Sequence, residues 1–178
     1  MGKIVQMAHR GPDWSDRMNE LDEHQRNLVE QLVFERRCHM TGGRWKEAGF
    51  EYHGMPDFLL RHGTWYSPEP WKMFPYRKGT PKVCFANSVV LAGHYPQLRY
   101  VEGVALAHQL PISTHHAWNT NRGQQLIDTT WQNEGSAYLG VEFPFEEAYK
   151  VLKPGKATML DNYIDRFELF REPFIPRF

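Results

Sequence analysis

His115-His116-Ala117-Trp118-Asn119-Thr120 and Gln124-Gln125-Leu126-Ile127-Asp128-Thr129-Thr130-Trp131 flank the tripeptide Asn121-Arg122-Gly123. Both flanks have strand character, and Gly123 suits the left-handed position that ends a three-residue hairpin loop. With residues 121–123 as the loop, 120 pairs with 124, 118 with 126 and 116 with 128. That register puts His116 opposite Asp128 on one face, with Cβ atoms about 4.5–5.5 Å apart. A two-residue loop, Arg122-Gly123, would set Asp128 opposite Ala117, on the face of His115. The three-residue loop, and with it His116, is the favoured reading.

Upstream, Arg99 to Ala107 reads as a further strand, and Tyr138 to Val141 as another sheet segment. Cys84 to Gly93 reads as a buried helix closed by Gly93 with Pro96 beyond it. Helical spacing of Leu21, Leu28, Val29, Leu32 and Val33 predicts a long helix from Ser15 or Asp16 to Gly42-Gly43. Met55-Pro56-Asp57 starts a short helix ended by Gly63. Phe145 to Leu152 and Thr158 to Phe170 are the remaining expected helices. Between 64 and 82, Pro68, Pro70, Pro75 and Pro81 forbid a continuous helix or a central strand. Aromatic residues crowd this loop, and it is expected either to pin itself to the core by its rings or to wall a substrate groove. Helices first, then a thiol-bearing helix, then an antiparallel sheet make an α+β chain. One domain is expected over 1–178, with 1–80 a helical extension and aromatic loop and 81–178 the core.

The 178 residues carry 21 Lys+Arg against 21 Asp+Glu, so the formal charge is zero. Overall charge therefore gives no footprint for nucleic acid or an anionic membrane. A hydrophobic fraction of 41%, with 14% aromatic residues, suits a globular chain rather than a disordered one. No run is long and apolar enough to span a bilayer, and the N-terminus fits neither a signal peptide nor a myristoylation motif. Two cysteines, Cys38 and Cys84, make no disulfide framework. A soluble, cytoplasmic protein with free thiols is the expectation.

Chemistry concentrates on three residues. Cys84 stands at the start of its helix, where backbone N–H groups and the dipole favour a thiolate, the nucleophilic form. A carboxylate at Asp128 fixes the tautomer of His116 and supports its imidazolium. A histidine so held can take a proton from the thiol and later protonate a leaving group. The bland alternative is a buried, inert cysteine beside a structural His–Asp pair. Cys38-His39 with His53 and His62 lacks any zinc-ligand spacing, so neither metal nor cofactor is expected.

Cys84-Phe85-Ala86-Asn87-Ser88, then Arg99-Tyr100-Val101-Glu102-Gly103, then His116-Ala117-Trp118, then Ile127-Asp128-Thr129-Thr130-Trp131, resembles in order and spacing the transglutaminase-like superfamily of papain-related thiol enzymes. The likeness covers residues 84 to 131. It implies a papain/transglutaminase-like core in which the nucleophile helix packs on an antiparallel sheet. It also implies that Cys84 is the nucleophile, His116 the base and acid, and Asp128 the orienting group. The expected activity is transfer or hydrolysis of an amide or ester through a Cys84 thioester. The substrate would be a peptide, a protein or a small molecule; peptidase, amidase and transglutaminase-type reactions all fit. The alternative is an inactive binding module on the same fold that sequesters a peptide or small molecule.

The Cys84 backbone N–H is one expected oxyanion donor. Papain-type enzymes add a glutamine shortly before the cysteine, but this chain has none between Gln31 and Gln97. Trp71, Tyr76 and Asn87 are the candidates for that role and for substrate contact. Trp118, on the face of His116, is expected to border the substrate and to screen the pair from water, or else to be a core tryptophan.

Overall fold

The computed structural model describes residues 14–42, 45, 49–68, 76–121, 125–153, 155 and 157–175. A one-turn helix α1 (Trp14–Arg17) and a 3₁₀ turn (Met18–Glu20) precede α2 (Glu23–Thr41), α3 (Met55–His62) and β1 (Thr64–Tyr66). Then follow α4 (Cys84–His94), β2 (Arg99–Ala107), β3 (Leu110–Thr120), β4 (Leu126–Ile127), β5 (Gly135–Phe143), α5 (Phe145–Leu152) and a 3₁₀ turn (Glu168–Phe170). The fold is α+β, with a five-stranded antiparallel sheet of order β1-β5-β2-β3-β4 and α4 packed on it.

The long N-terminal helix begins later than the periodicity suggests. Asp22 Oδ1 accepts from the Gln25 N–H at 2.8 Å, and the Gln25 side chain accepts from the Asp22 N–H. This reciprocal capping box outcompetes Ser15 or Asp16 as the start, because it satisfies two backbone donors at once. Met55 opens α3 with Pro56 in the first turn, where a missing N–H costs nothing. Asp57 on α3 is buried and grips Arg61 through two nitrogens at 3.0 and 3.2 Å, beside His53.

The two faces of the sheet differ. On one, Tyr100, Val104, Leu106, Ala117, Leu139 and Val141 meet Val89 and Ala92 of α4, Leu28 and Leu32 of α2, and Phe58 of α3. Asn119 on this face donates from Nδ2 to the Ser88 and Arg99 carbonyls, tying α4 to the sheet. On the other face, Tyr66, Val101, Ala105, Trp118, Leu126 and Tyr138 form a smaller cluster. Gly103 pairs with both His116 and Gly140, so one row of that face carries no side chain on β2 or β5. The gap is used: a Cβ on Gly140 would lie 2.6 Å from the indole of Trp118.

Three expectations fail locally. The hairpin pairs Asn119 with Ile127 and Thr120 with Leu126, two residues out of the expected register. The cause is a wider loop, clasped where Asn121 Oδ1 accepts from the Gln125 N–H and Asn121 Nδ2 donates to Gln125 Oε1, both at 3.1 Å. Residues 158–170 form no α-helix; only the 3₁₀ turn at Glu168–Phe170 stands there. The Met159 and Leu160 N–H groups point at the buried Glu102 carboxylate, and Arg166 and Phe167 have φ of 60° and 59°. Thr64–Tyr66, expected as loop, is an edge strand on β5 that stops before Pro68.

Candidate active site

α4 delivers Cys84 as its first residue. Val83, the N-cap, has no side-chain cap, so the first amides of the helix are not occupied by one. β3 delivers His116, and the segment just beyond β4 delivers Asp128. The two-residue register change leaves His116 and Asp128 on the same face, since strand alternation has period two. His116 Nε2 lies 2.7 Å from Asp128 Oδ2, with both side chains almost fully buried. Nδ1 is then the ring nitrogen left over, and the Cys84 thiol lies near enough to the imidazole to raise its proton affinity. Burial pulls the imidazole's proton affinity down. The hydrogen bonds to Asp128 and Cys84, and the charges of both, outweigh it and push His116 up to about 9.

Asp128 sits outside the strand because its side chain caps a turn. Its Oδ1 accepts from the Thr130 and Trp131 N–H groups at 2.9 and 3.0 Å, and the Gln132 N–H returns to the Asp128 carbonyl. Its Oδ2 takes the imidazole and, at 3.0 Å, the Tyr138 hydroxyl. Burial, then the Asp128 charge, then this hydrogen bond drive the Tyr138 hydroxyl well above its ordinary value, so it stays a donor. Room for that hydroxyl comes from Gly135, where a Cβ would stand 1.9 Å from it. Trp131 stacks on the imidazole with ring centres 4.2 Å apart and planes 21° from parallel. The Trp118 ring, 26° from parallel, has its centre 6.1 Å from the imidazole. Charge, hydrogen bonding and stacking together leave the ring one orientation.

A second acid–imidazole pair faces the helices. Glu102 is fully buried and accepts from Tyr100 OH at 2.6 Å and from the Met159 and Leu160 N–H groups at 3.0 and 2.7 Å, with His115 Nε2 at 2.9 Å. Burial would raise its carboxyl. The His115 hydrogen bond and charge, then the hydrogen bonds of Tyr100 and Thr158, hold it below the ordinary carboxylate range. This pair anchors residues 158–160 to β2. The His115 ring meets Phe85, the neighbour of Cys84, edge to face at 4.8 Å.

The expected substrate contacts fare differently. Trp71 lies outside the described residues. Tyr76 packs edge-on against Tyr95. Asn87 is committed to the chain itself, because its Nδ2 donates to the Thr80 carbonyl and to Thr130 Oγ1 and its Oδ1 accepts from the Thr80 N–H. Both amide hydrogens are engaged, so it is not free to hold an oxyanion. Trp118 has no solvent exposure and is core; it offers no surface to a substrate. Sequence reasoning passed over Trp131, Tyr138 and Gly135 as parts of the site. The only signal was the run of polar hydrogen-bonders and aromatics around Asp128. Tyr138 reaches Asp128 through the β2–β5 pairing, a long-range contact with no local mark.

Among the described residues, no group of three or more His, Cys, Asp or Glu side chains could hold a metal ion, and no helix is long and apolar enough to cross a membrane. The chain matches no family model, no curated protein and no solved structure.

Proposed function

We propose that this chain is a cysteine-dependent acyl-transfer enzyme of the transglutaminase-like, papain-related kind, acting on an amide or ester. The observation that carries the reading is the grouping Asp128–His116–Cys84: a carboxylate on one ring nitrogen, a thiol beside the ring, and that thiol at a helix N-terminus. The Cys84 sulfur attacks the substrate carbonyl carbon, and its proton resides on His116 Nδ1. Negative charge on the former carbonyl oxygen faces the Cys84 backbone N–H, uncapped at the helix start. Collapse of the tetrahedral intermediate breaks the bond to the leaving amine or alcohol, which takes the proton from His116. A thioester remains. Water then regenerates the thiol and gives hydrolysis, or an amine gives conjugation. Asp128 holds the imidazole in the tautomer whose Nδ1 accepts a proton, and Trp131 with Trp118 keeps water from the pair.

Cys84 is only 9% exposed, which favours a competing reading: an inert thiol in a peptide- or ligand-binding module. Iodoacetamide separates the two. Catalysis requires Cys84 to react far faster than the exposed Cys38, and His116→Ala to abolish that advantage. If Cys84 is modified no faster than Cys38, the acyl-transfer reading is wrong.

A further inference from the structure

A groove of about 470 Å³ runs along the outward side of α4. It is lined by Val90 and His94 of α4, by the N-cap Val83, by Arg77 and Tyr95, and by Thr129 of the turn after Asp128. Val83 and Thr129 are the chain neighbours of Cys84 and Asp128, so the groove adjoins the candidate active site. Val83, the N-cap, and Val90 are 41% and 55% exposed, high for aliphatic residues at a helix otherwise turned to the core. Tyr76 buttresses Tyr95 edge to face at 5.1 Å. No Asp or Glu is among the described residues lining the groove.

Charge along the chain makes the same point independently. The protein as a whole is neutral, but between Glu69 and Glu134 it holds six Lys or Arg, of which Arg99 is ion-paired with Glu142, against two carboxylates. Those two carboxylates are Glu102 and Asp128, both buried and both engaged in hydrogen bonds. No carboxylate of this span reaches solvent, whereas Arg77, Lys78 and Lys82 stand exposed on the loop beside the groove. A cleft with apolar footing and charge of one sign concentrates ligands of the opposite sign.

We propose that this groove binds a carboxylate-rich peptide segment adjoining the amide attacked by Cys84, its apolar side chains on Val83 and Val90 and its acidic side chains facing Arg77. This assignment of substrate class rests on the acyl-transfer reading above. Arg77, which lines the groove, and its exposed neighbour Lys78 supply the selectivity. Exposed ion pairs are individually weak, so two of them give a preference of about tenfold.

The test uses the full chain as Cys84→Ala, which cannot turn over, and fluorescent peptides that differ only in carrying Glu, Gln or Lys beside the same apolar residues. The Glu peptide should bind about tenfold more tightly than the Gln peptide, and the Lys peptide most weakly. Raising the salt concentration should erase the preference, as should Arg77→Glu with Lys78→Glu in the same background. Equal binding of the three peptides overturns the proposal, as does a preference that survives the charge reversal. Inorganic pyrophosphate is the competitor: tighter binding of pyrophosphate than of the Glu peptide would assign the groove to a phosphate-bearing small molecule and overturn the peptide assignment. Alkylation of wild-type Cys84 is measured alongside. A fast thiol with charge-blind peptide binding removes the groove assignment alone; a sluggish thiol removes the acyl-transfer reading itself.

Discussion

Asp128→Asn is the most demanding test of the site, because it changes one oxygen to an NH₂ and nothing in volume. The new side chain keeps one acceptor, and the Thr130 and Trp131 N–H groups hold it at the Oδ1 position. The NH₂ is thereby aimed at His116 Nε2 and the Tyr138 hydroxyl. The hydroxyl rotates and accepts. The imidazole can accept only by moving its own hydrogen to Nδ1, toward Cys84, where it can no longer take the thiol proton. In wild type, His116 stands at about 9 against an ordinary 6.5. That gap is worth about 3 kcal/mol at about 1.4 kcal/mol for each tenfold change in proton affinity. Because the folded value is the higher one, this stabilisation is complete below pH 6.5 and disappears as pH rises through about 9. In Asp128→Asn the carboxylate's hydrogen bond and charge are gone while the burial and the Cys84 contribution remain, so the His116 midpoint should fall well below 9. Turnover should drop by about 10³- to 10⁴-fold, the scale of a wrong tautomer in an acid–histidine–nucleophile triad. NMR titration of the His116 ring gives the midpoint, and urea unfolding between pH 6 and 10 gives the linked stability. A midpoint still near 9 in Asp128→Asn would refute the assignment of the shift to this carboxylate.

Three other changes follow from the same contacts. Gly135→Ala places a methyl group where the Tyr138 hydroxyl lies and should cost about 1–3 kcal/mol of stability, measured by urea unfolding. Tyr138→Phe removes a hydroxyl donated to a buried carboxylate without adding bulk; a loss of about 1.5–3 kcal/mol is expected in the same assay. Glu102→Gln turns an NH₂ toward the N–H of Met159 or Leu160 and should cost about 2–4 kcal/mol, with faster amide exchange at 159 and 160. Since the Glu102 carboxyl is held below its ordinary 4.5, wild type should lose that stabilisation only as pH falls through the lowered folded value. The Gln variant should lack that part of the acid dependence.

What could be read from the sequence, and what could not, divides along the range of the interactions. β2 and α5 run over the expected residues, and α4 begins at the expected Cys84, because each is set by local pattern and by its own Gly or Pro punctuation. The hairpin was legible in parity but not in register. Alternation puts His116 and Asp128 on one face for any register shift of two, whereas the loop length depends on an Asn121–Gln125 clasp that no loop-length rule contains. Residues 158–170 have helical spacing, but Met159 and Leu160 give their amides to Glu102, more than fifty residues earlier. Tyr138 likewise serves Asp128 only because β5 inserts beside β2, away from its sequence neighbours.

The brevity of β4 matters most for how the parts meet. α4 lies against one side of the sheet, and His116 projects from the other. Thiol and imidazole can join hands only around a rim, and β3 is a rim at residue 116 because its outer neighbour pairs with nothing beyond Asn119 and Thr120. Lengthening β4 until it ran alongside His116 would close that passage and divorce the sulfur from its base, even with all three residues of the triad retained.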